Sequence, residues 1–367
     1  MKVLVVGPDR KDPGGVANYY NAVFPRLSGD EISAHYLEIG STHGGRSGLH
    51  IIGDQVRFWR AIGSLKPDIV HLNPSLDLRS FFRDGLFILQ SKLRGSQVLV
   101  FFRGWQELFE EKVTGKLKWL FNVTYGRADR FIVLAKSFSD RLSEWGITVP
   151  VDLGTTTVND DLLDGFSIDE KVNSLVNMQE TRLLYLARLE PEKGILELLT
   201  AVDTLLNRGM LLTLTIAGDG PAMNRVCAQV SSMGQYQSKI NIVGYVRNQE
   251  KTDLLTSHHI FCFPTQYGEG MPNSVLEAMA FGMPVITCPV GGLADFFEDG
   301  VMGALLGTKE PGLIAESITR LVSDRHHMAE ISQYNYGYAQ SRFLSSISAE
   351  ELRRCYRRMY HESPGDM

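Results

Sequence analysis

The stretch that decides the fold runs Leu184-Tyr185-Leu186-Ala187-Arg188-Leu189-Glu190-Pro191-Glu192-Lys193-Gly194. An apolar run gives way to a charged loop, and a helical pattern begins near Gly194 and continues to Asn207. Near-continuous apolar runs of this length are typical of strands that are covered on both faces, as in a parallel sheet flanked by helices. The stretch therefore predicts a strand, a loop and a helix in succession, which is one unit of an α/β fold.

The same rhythm is repeated along the whole chain of 367 residues. The predicted strands are Val3–Val6, Ile69–Leu72, Gln97–Phe102, Phe131–Leu134, Arg182–Leu186, Leu212–Ala217, Ile240–Val243, Ile260–Phe263 and Pro284–Thr287. The predicted helices are Val16–Leu27, Asp54–Leu65, Lys136–Glu144, Gly194–Asn207, Asn248–His258 and Asn273–Phe281. Strands that alternate with helices in this way predict an α/β fold with parallel sheets.

The rhythm breaks once, in a polar and acidic segment between residues 153 and 180 that contains no convincing strand. A chain of this length favours two domains, at about 100–200 residues per domain. We therefore expect one doubly wound domain in residues 1–165 and a second in residues 166–345. A terminal segment of residues 346–367 follows, and Ser348 and Glu351 give it the pattern of a helix capping box. The alternative is one long surface loop inside a single large sheet.

Composition excludes several classes of protein. The chain is 44% hydrophobic and 22% charged, with a net charge of 37 − 42 = −5, which argues against a disordered chain or a wholly basic nucleic-acid binder. No apolar run approaches the roughly 18 residues of a membrane helix, and the apolar start is too short for a signal peptide. The cysteines form no C-x-x-C pair, so we expect free, buried thiols in a reducing cytoplasm: Cys227, Cys262, Cys288 and Cys355.

Positive charge is concentrated in one part of the chain. Residues 43–141 hold 16 Lys and Arg against 9 Asp and Glu, a balance of +7, which leaves −12 for the remainder. Basic residues alternate there with large aromatic residues, as in Arg57-Phe58-Trp59-Arg60 and Lys118-Trp119-Leu120-Phe121. This pattern suits the headgroup zone of an anionic membrane, so peripheral attachment to the inner face of the plasma membrane is one hypothesis. The other is that the aromatic residues are core and the charges form a solvated face.

Two loops after strands carry candidate phosphate ligands. Arg188 and Lys193 place two cations at the carboxyl end of a strand and beside a helix start, where a diphosphate is well held. Gly218-Asp219-Gly220 also follows a strand, and its glycines would let a ligand approach the backbone. Position 223 is Met rather than a third glycine, so the pattern is weak evidence for NAD.

A third loop presents two carboxylates seven residues apart. Glu269 lies in a glycine-rich turn and Glu277 lies about one turn into the predicted helix, so that both can face one ligand. The amides at the start of that helix suit a phosphate. A carboxylate in the otherwise apolar helix needs a partner, such as ribose hydroxyls. Glycine pairs follow two other strands, at Gly14-Gly15 and Gly291-Gly292.

Taken together, these residues resemble the retaining glycosyltransferases with the GT-B fold, the family called glycosyl transferases group 1. The resemblance rests on an ordered set: Gly14-Gly15, Asp68-Ile69-Val70-His71, residues 128–137, Arg188 with Lys193-Gly194, Gly218-Asp219-Gly220-Pro221, Gly244-Tyr245-Val246, Glu269 with Glu277-Ala278-Met279-Ala280, and Gly291-Gly292. It covers most of the chain. It implies two Rossmann-like domains facing across a cleft, with the acceptor on the N-terminal side, the nucleotide sugar mainly on the C-terminal side, and a terminal helix that crosses back.

The resemblance also implies roles for individual residues. Arg188 and Lys193 would hold the diphosphate and stabilise the leaving nucleoside diphosphate, while Glu269 would hold a hydroxyl of the donor sugar and Glu277 the ribose. The donor would be a UDP or GDP sugar, bound further by Gly14, Gly15, Gly218, Val246, Gly270, Met271, Pro272, Asn273 and Ser274. The acceptor would be a glycan or a lipid-linked molecule. No cofactor and no metal is implied, because the cations take the place of a metal.

The chain departs from the family after the strand that ends at Phe102. Many members have a histidine there, usually near the donor sugar, and this chain has Arg103-Gly104-Trp105. Arg103 cannot act as a general base at neutral pH. Retention by same-face attack, in which the departing phosphate takes the acceptor's proton, needs no protein base. Arg103 is then a candidate ligand for a donor hydroxyl or an anionic acceptor, together with Trp105 and Asn73.

Other functions remain open at this point. A nucleotide-sugar epimerase or a phosphorylase could use the same architecture, although neither a pyridoxal phosphate lysine nor the longer chain of a phosphorylase is apparent. A catalytically inactive binding module is a third hypothesis, and the presence of Arg188, Lys193, Glu269 and Glu277 argues against it. An NAD-dependent oxidoreductase ranks last, because the third glycine is missing.

Overall fold

The structure is a computed structural model that describes residues 1–12, 14–40, 49–268 and 270–362, without the side chains of residues 49 and 50. The chain divides into two compact units. The first comprises Met1–Thr157, Gly268–Met271 and Ser345–Met367, and the second comprises Val158–Tyr267 and Pro272–Leu344. The division after Thr157 lies somewhat before the boundary expected after residue 165.

The first unit is built on a parallel sheet. Its elements are β1 (Lys2–Gly7), α1 (Gly15–Val23), β2 (Ser33–Glu38), α2 (Leu49–Leu65), β3 (Ile69–Leu72), β4 (Ser75–Leu76), α3 (Leu78–Leu93), β5 (Gln97–Phe101), β6 (Gly104–Trp105), α4 (Glu107–Lys112), α5 (Lys118–Thr124), β7 (Arg130–Val133), α6 (Lys136–Glu144) and β8 (Val151–Leu153). The strand order is β2-β1-β3-β5-β7-β8, with β4 and β6 as a separate pair. The chain winds from β1 to one edge and then back through β3 to the other, as in a Rossmann-like domain.

The second unit repeats this plan. Its elements are α7 (Ile168–Val176), β9 (Thr181–Leu186), α8 (Ile195–Asn207), β10 (Leu212–Ala217), α9 (Met223–Ser232), β11 (Ile240–Gly244), α10 (Asn248–Ser257), β12 (Ile260–Phe263), α11 (Asn273–Ala280), β13 (Val285–Thr287), α12 (Leu293–Phe296), β14 (Gly303–Leu305), α13 (Pro311–Ser323) and α14 (Arg325–Arg342). All its strands are parallel, in the order β11-β10-β9-β12-β13-β14. The last helix, α15 (Ser345–His361), belongs to the first unit.

The predicted α/β fold with parallel sheets is confirmed. Each of the nine predicted strands is present, with its ends within one residue of the prediction. The longer strands that the prediction missed, β2, β8 and β14, all lie at sheet edges. An edge strand is covered less than a central one, and β2 in particular has the polar sequence SAHYLE with no buried residue. Such strands do not stand out as apolar runs.

Two local predictions are corrected by the structure. The acidic segment between residues 153 and 180 contains the helix α7, which Ser167 caps with its side chain at the amide of Glu170. The last helix begins at Ser345 rather than after Ser348. Ser348 lies inside the helix and buried, and its hydroxyl is 3.2 Å from the Thr157 hydroxyl, so it makes a tertiary contact and not a cap.

The cysteines and the helices bear on two further expectations. All four cysteines are free thiols, but Cys227 is exposed, whereas the other three are buried as expected.

Within the described ranges, no helix combines the length and the apolar composition needed to cross a membrane. The core of the first unit packs Phe58, Phe81, Phe121 and Phe131 against the sheet.

A buried histidine holds the end of β9 in the second unit. The backbone amide of Arg182 donates to Nδ1 of His259 at 3.0 Å, and an Arg182 guanidinium nitrogen lies 3.0 Å from Nε2. Both ring nitrogens therefore face donors, which leaves no place for a second ring proton. Burial, with the charges of Arg182 and Lys171, lowers the pKa of His259 to about 3.

This environment makes the folded chain sensitive to acid. The unfolded histidine takes up a proton near pH 6.5 and the folded one only near pH 3, so the unfolded state binds more protons between these values and stability falls as the pH drops. The loss from His259 should approach about 1.4 kcal/mol for each pH unit below 6.5. His259→Asn, which keeps an acceptor for the Arg182 amide, should flatten the pH dependence of urea unfolding between neutral pH and pH 5. The exposed-site control His326→Asn should keep the wild-type slope, and equal slopes for all three proteins would contradict the prediction.

Candidate functional site

The two central strands of the second sheet, β9 and β12, mark its topological switch point. From β9 the chain continues to β10 on one side, and from β12 it continues to β13 on the other. In open parallel sheets, ligands bind outside the carboxyl ends of the strands at such a point. The loop after β9 carries Arg188 and Lys193, and the loop after β12 begins at Pro264. The sheet thus places the two predicted phosphate ligands at the position where an α/β domain binds a nucleotide.

The turn that carries Lys193 is fixed through its backbone. Residues Pro191–Lys193 form a 3₁₀ turn, and each of their three carbonyl oxygens accepts a hydrogen bond from a different part of the unit. The Lys309 amine donates to Pro191 at 3.1 Å, the Gln266 amide donates to Glu192 at 3.3 Å, and the Tyr185 hydroxyl donates to Lys193 at 3.4 Å. The Lys193 amine itself lies 5.2 Å from the centre of the Tyr267 ring. The lysine is therefore held against the loop that follows β12.

Gly194 allows these two loops to touch. Its φ is +78°, and a Cβ at this position would lie 2.2 Å from the carbonyl oxygen of Pro264. Both the left-handed backbone and the lack of space require glycine. Any side chain here would push the Lys193 turn away from the β12 loop.

The loop that carries Arg188 packs on the glycines after β10. A Cβ on Gly218 would lie 1.9 Å from the Ala187 carbonyl oxygen, and a Cβ on Gly220 would lie 2.5 Å from that of Leu189. The Leu189 amide also donates to the Asp219 carbonyl at 2.9 Å. On the Cβ side of Gly218, the backbone that approaches closely is therefore the protein's own.

Arg188 itself is open to a ligand. Its side chain is 68% exposed, and one guanidinium nitrogen lies 3.2 Å from a carboxylate oxygen of Glu190. Packing of the flanking residues fixes the backbone, while the guanidinium is largely exposed to solvent. A cation of this kind can reach a phosphate without first losing a buried partner.

Glu277 has a protein partner that the sequence did not indicate. The Lys251 amine of α10 donates to Oε1 of Glu277 at 2.6 Å, and the glutamate side chain is only 12% exposed. The predicted need for a partner is met by this lysine, which sets the direction of the carboxylate. Lys251 lies in an ordinary polar helix, where a lysine gives no signal, and only the fold shows the pair.

The rest of the predicted donor segment lies around α11. The helix begins at Asn273 and has Ser274 in its first turn, and the N-cap residue Pro272 makes no side-chain hydrogen bond to it. Val246, after β11, is partly buried between the exposed residues Tyr245 and Arg247. Met271 is buried, and Glu269, predicted to be catalytic, lies outside the described residues.

In the first unit, the glycine pair lies at the switch point of its own sheet. Gly14 and Gly15 stand at the start of α1, after β1, and Asn73 follows the neighbouring strand β3. Gly14 has an extended φ of 164°, and a Cβ there would meet none of the described residues within 4 Å. The backbone at this point is therefore open, in contrast to Gly218.

Two of the predicted acceptor or donor-sugar candidates have structural roles. Asn73 donates to the Val6 carbonyl at 3.0 Å and accepts from the Tyr20 hydroxyl at 2.7 Å, so both ends of its amide are used. Trp105 is buried, stacks on Phe138 at 4.4 Å between ring centres, and donates to Glu110 at 2.5 Å. The ring of Trp105 is part of the core, where other aromatic rings cover it.

Arg103 has an unusual environment for a cation. It is 9% exposed, and its guanidinium carbon lies 3.9 Å from the centre of the Tyr19 ring and 4.2 Å from that of Phe101. Its Nη1 is buried without a hydrogen-bond partner, and among the described residues no carboxylate forms an ion pair with it. Burial lowers the pKa of Arg103. A buried cation that lacks a counter-ion is costly unless a ligand supplies the charge.

The segment Gly268–Met271 lies with the first unit, close to Arg103. A Cβ on Gly270 would be 2.9 Å from a Leu134 methyl group and 3.6 Å from the Arg103 carbonyl oxygen. Gly270 therefore packs beside Leu134 and Arg103 within the first unit. In the part of the chain that the structure describes, no cluster of three His, Cys, Asp or Glu side chains is arranged to hold a metal ion.

Comparison with known proteins supports the family that the sequence resembles. Residues 167–338 match the family model described as glycosyl transferases group 1. The chain is 28% identical to the capsular polysaccharide biosynthesis glycosyltransferase CapM of Staphylococcus aureus, over 55% of this chain and 52% of that protein. It is 24% identical to the phosphatidyl-myo-inositol mannosyltransferase of Mycobacterium tuberculosis, over 72% of this chain and 65% of that protein. The chain spans only about half the length of the first curated relatives that it matches.

A solved structure shows the fold. HepE of Anabaena, determined in complex with UDP and glucose, superposes with a TM-score of 0.73 at 15% identity, over 97% of this chain and 99% of that one. At this level of identity the likeness establishes the GT-B fold, an α/β fold with parallel sheets, and carries no residue roles.

The two kinds of glycine in the site should respond differently to the same substitution. Gly218→Ala adds a methyl group against the Ala187 carbonyl at a φ of +151°, so we expect a loss of at least about 2 kcal/mol in unfolding free energy. Gly14→Ala meets open space on an extended backbone and should stay within about 0.5 kcal/mol of wild type. Chemical denaturation measures both, and equal stability of the two variants would contradict the packing described for Gly218.

Proposed function

We propose that this chain is a retaining glycosyltransferase that moves a sugar from a UDP or GDP sugar to a glycan or lipid-linked acceptor. The observation that carries the proposal is the position of Arg188 and Lys193 at the switch point of the second sheet, inside the region that matches the family model. The capsular polysaccharide and phosphatidyl-inositol relatives support an acceptor in cell-surface polysaccharide or glycolipid synthesis.

In this proposal, Arg188 and Lys193 bind the diphosphate of the donor. Negative charge grows on the departing diphosphate as the glycosidic bond breaks, and cations already in place stabilise it without reorganisation. The anchored Pro191–Lys193 turn supplies that fixed position for Lys193. The exposed Arg188 closes on the other side of the diphosphate.

Other residues bind the ribose, the sugar and the base of the nucleotide sugar in this proposal. The Lys251 amine holds Oε1 of Glu277, and the carboxylate accepts from the ribose hydroxyls. The uncapped start of α11 offers backbone amides to the phosphate or the sugar. Glu269 takes a hydroxyl of the donor sugar, and the backbone near Val246 lies beside the base.

Arg103 acts on the sugar or the acceptor rather than on the diphosphate. It supplies a donor nitrogen, Nη1, that has no hydrogen-bond partner among the described residues, and it lies on the first unit, whereas the proposed diphosphate ligands lie on the second. A hydroxyl or an anionic group of the substrate completes its hydrogen bonds. With a permanently charged guanidinium at this position, the departing phosphate is the group that takes the acceptor's proton.

Nucleotide titration tests the donor site. Calorimetry with UDP, GDP, ADP and CMP should show saturable binding of one diphosphate, and Lys193→Ala should weaken it by about 1.5–3 kcal/mol, because a charged hydrogen bond is lost. Lys112→Ala, an exposed lysine of the first unit, should bind as wild type does. A folded protein that binds no nucleotide, or a Lys193→Ala variant with unchanged affinity, would contradict the proposal.

Turnover tests the reaction class. With the identified donor and an acceptor, the new glycosidic bond should keep the anomeric configuration of the donor, which proton NMR coupling constants report. Conversion of the sugar nucleotide without any acceptor would show an epimerase instead. Binding without either reaction, over a panel of acceptors, would favour an inactive nucleotide-sugar-binding module.

Arg103 should affect turnover and not nucleotide affinity. Arg103→Gln is expected to lower kcat/KM at least about tenfold, the effect of losing a charged hydrogen bond, while calorimetry still shows wild-type affinity for the diphosphate. Arg103→Lys should recover part of the activity, because it restores the charge without the planar group. Unchanged kcat/KM in Arg103→Gln would show that the residue serves only the packing of Tyr19 and Phe101.

A further inference from the structure

Three neighbouring helices of the first unit expose large apolar side chains. On α3, the exposed residues Leu78, Phe82, Leu86 and Leu93 fall within an arc of about 80° at 100° per residue. The opposite side of this helix, with Phe81, Phe87 and Ile88, packs in the core. The helix is therefore apolar on two sides, although only one side is covered by the protein.

The flanking helices continue this surface. α2 packs beside α3 and exposes Ile52, Val56 and Trp59, while α5 packs on α3 and exposes Trp119 and Val123. Leu93 and Trp119 are 78% and 66% exposed. We call the outer side of these helices the apolar face; its members are Ile52, Val56, Trp59, Leu78, Phe82, Leu86, Leu93, Trp119 and Val123. Contiguous exposed apolar surface of this kind marks an interaction site.

The exposed charges on the described parts of α2, α3 and α5 have one sign. The exposed cations Arg57, Arg60 and Arg79 lie on α2 and α3, and the Arg94 guanidinium at the end of α3 stacks 4.0 Å from the Trp59 ring. The carboxylates on the described parts of α2, α3 and α5 are Asp54 and Asp84, and both are buried. On the described parts of these three helices, apolar and aromatic groups are therefore exposed together with cations and without an exposed carboxylate.

We infer that the apolar face docks on an anionic lipid surface. Apolar side chains reach into the boundary of the acyl chains, tryptophan rings occupy the headgroup level, and arginines pair with lipid phosphates. A second copy of this chain is a poorer occupant, because two such faces would place their arginines against each other. The docking needs no substrate, so it stands independently of the proposed function.

Vesicle binding by the purified full chain tests this inference. Wild type should float with vesicles of phosphatidylcholine and phosphatidylglycerol, less with phosphatidylcholine alone, and less as salt rises. The double variant Leu86→Ser with Trp119→Ser should lose at least about tenfold in partition, since both side chains leave the acyl boundary. Arg60→Gln with Arg79→Gln should reduce the preference for phosphatidylglycerol.

The control replaces exposed apolar residues elsewhere. Leu211→Ser with Leu313→Ser, on the second unit, should bind vesicles as wild type does, and melting curves establish that each variant is folded. Equal binding to both kinds of vesicle, or equal binding by the Leu86 and Trp119 double variant, would overturn the inference. A wild-type dimer that the same variant disperses, without vesicle binding, would show instead that the face joins two copies.

Discussion

The close approach of backbone to backbone at the carboxyl edge of the second sheet is the constraint on which the candidate site depends. Gly194 meets the Pro264 carbonyl, and Gly218 and Gly220 meet the carbonyls of Ala187 and Leu189. Three loops nest together because none of these positions carries a Cβ. The nested loops fix the backbone that carries Arg188 and Lys193. In the proposed function, this fixed backbone gives the electrostatic stabilisation its starting geometry.

The cations of the two units are held in opposite ways. Arg188 is largely exposed and forms an ion pair with Glu190. Because an exposed ion pair is weak, the arginine can exchange this carboxylate for a phosphate. Arg103 is buried between two aromatic rings and keeps one nitrogen without a partner. Exposure suits a group that meets a diphosphate arriving from water, whereas burial strengthens the interaction of a group with a neutral hydroxyl or a single negative charge.

The predictable part of the fold was the part whose signal is local. The eight central strands are covered on both faces, so their sequences are near-continuous apolar runs, and all eight were predicted within one residue, together with the edge strand β11. Edge strands such as β2 are covered less and read as polar segments. The loop positions of Arg188 and Lys193 were predictable for the same reason, because a strand end and a helix start are both local patterns. Lys251 and Lys309 were not, since their partners lie on other elements.

The sequence by itself determined the α/β class, the two-unit organisation and the order along the chain of the loops that carry the candidate site residues. The tertiary structure alone decided which of two adjacent side chains is buried in the core and which is exposed. It placed Trp105 in an aromatic stack and Gly218 under the protein's own backbone. It also turned Phe81 inward and Phe82 outward. Adjacent residues share a composition and a local propensity, and only the packing of a helix on its sheet determines which side chain is buried and which meets a partner.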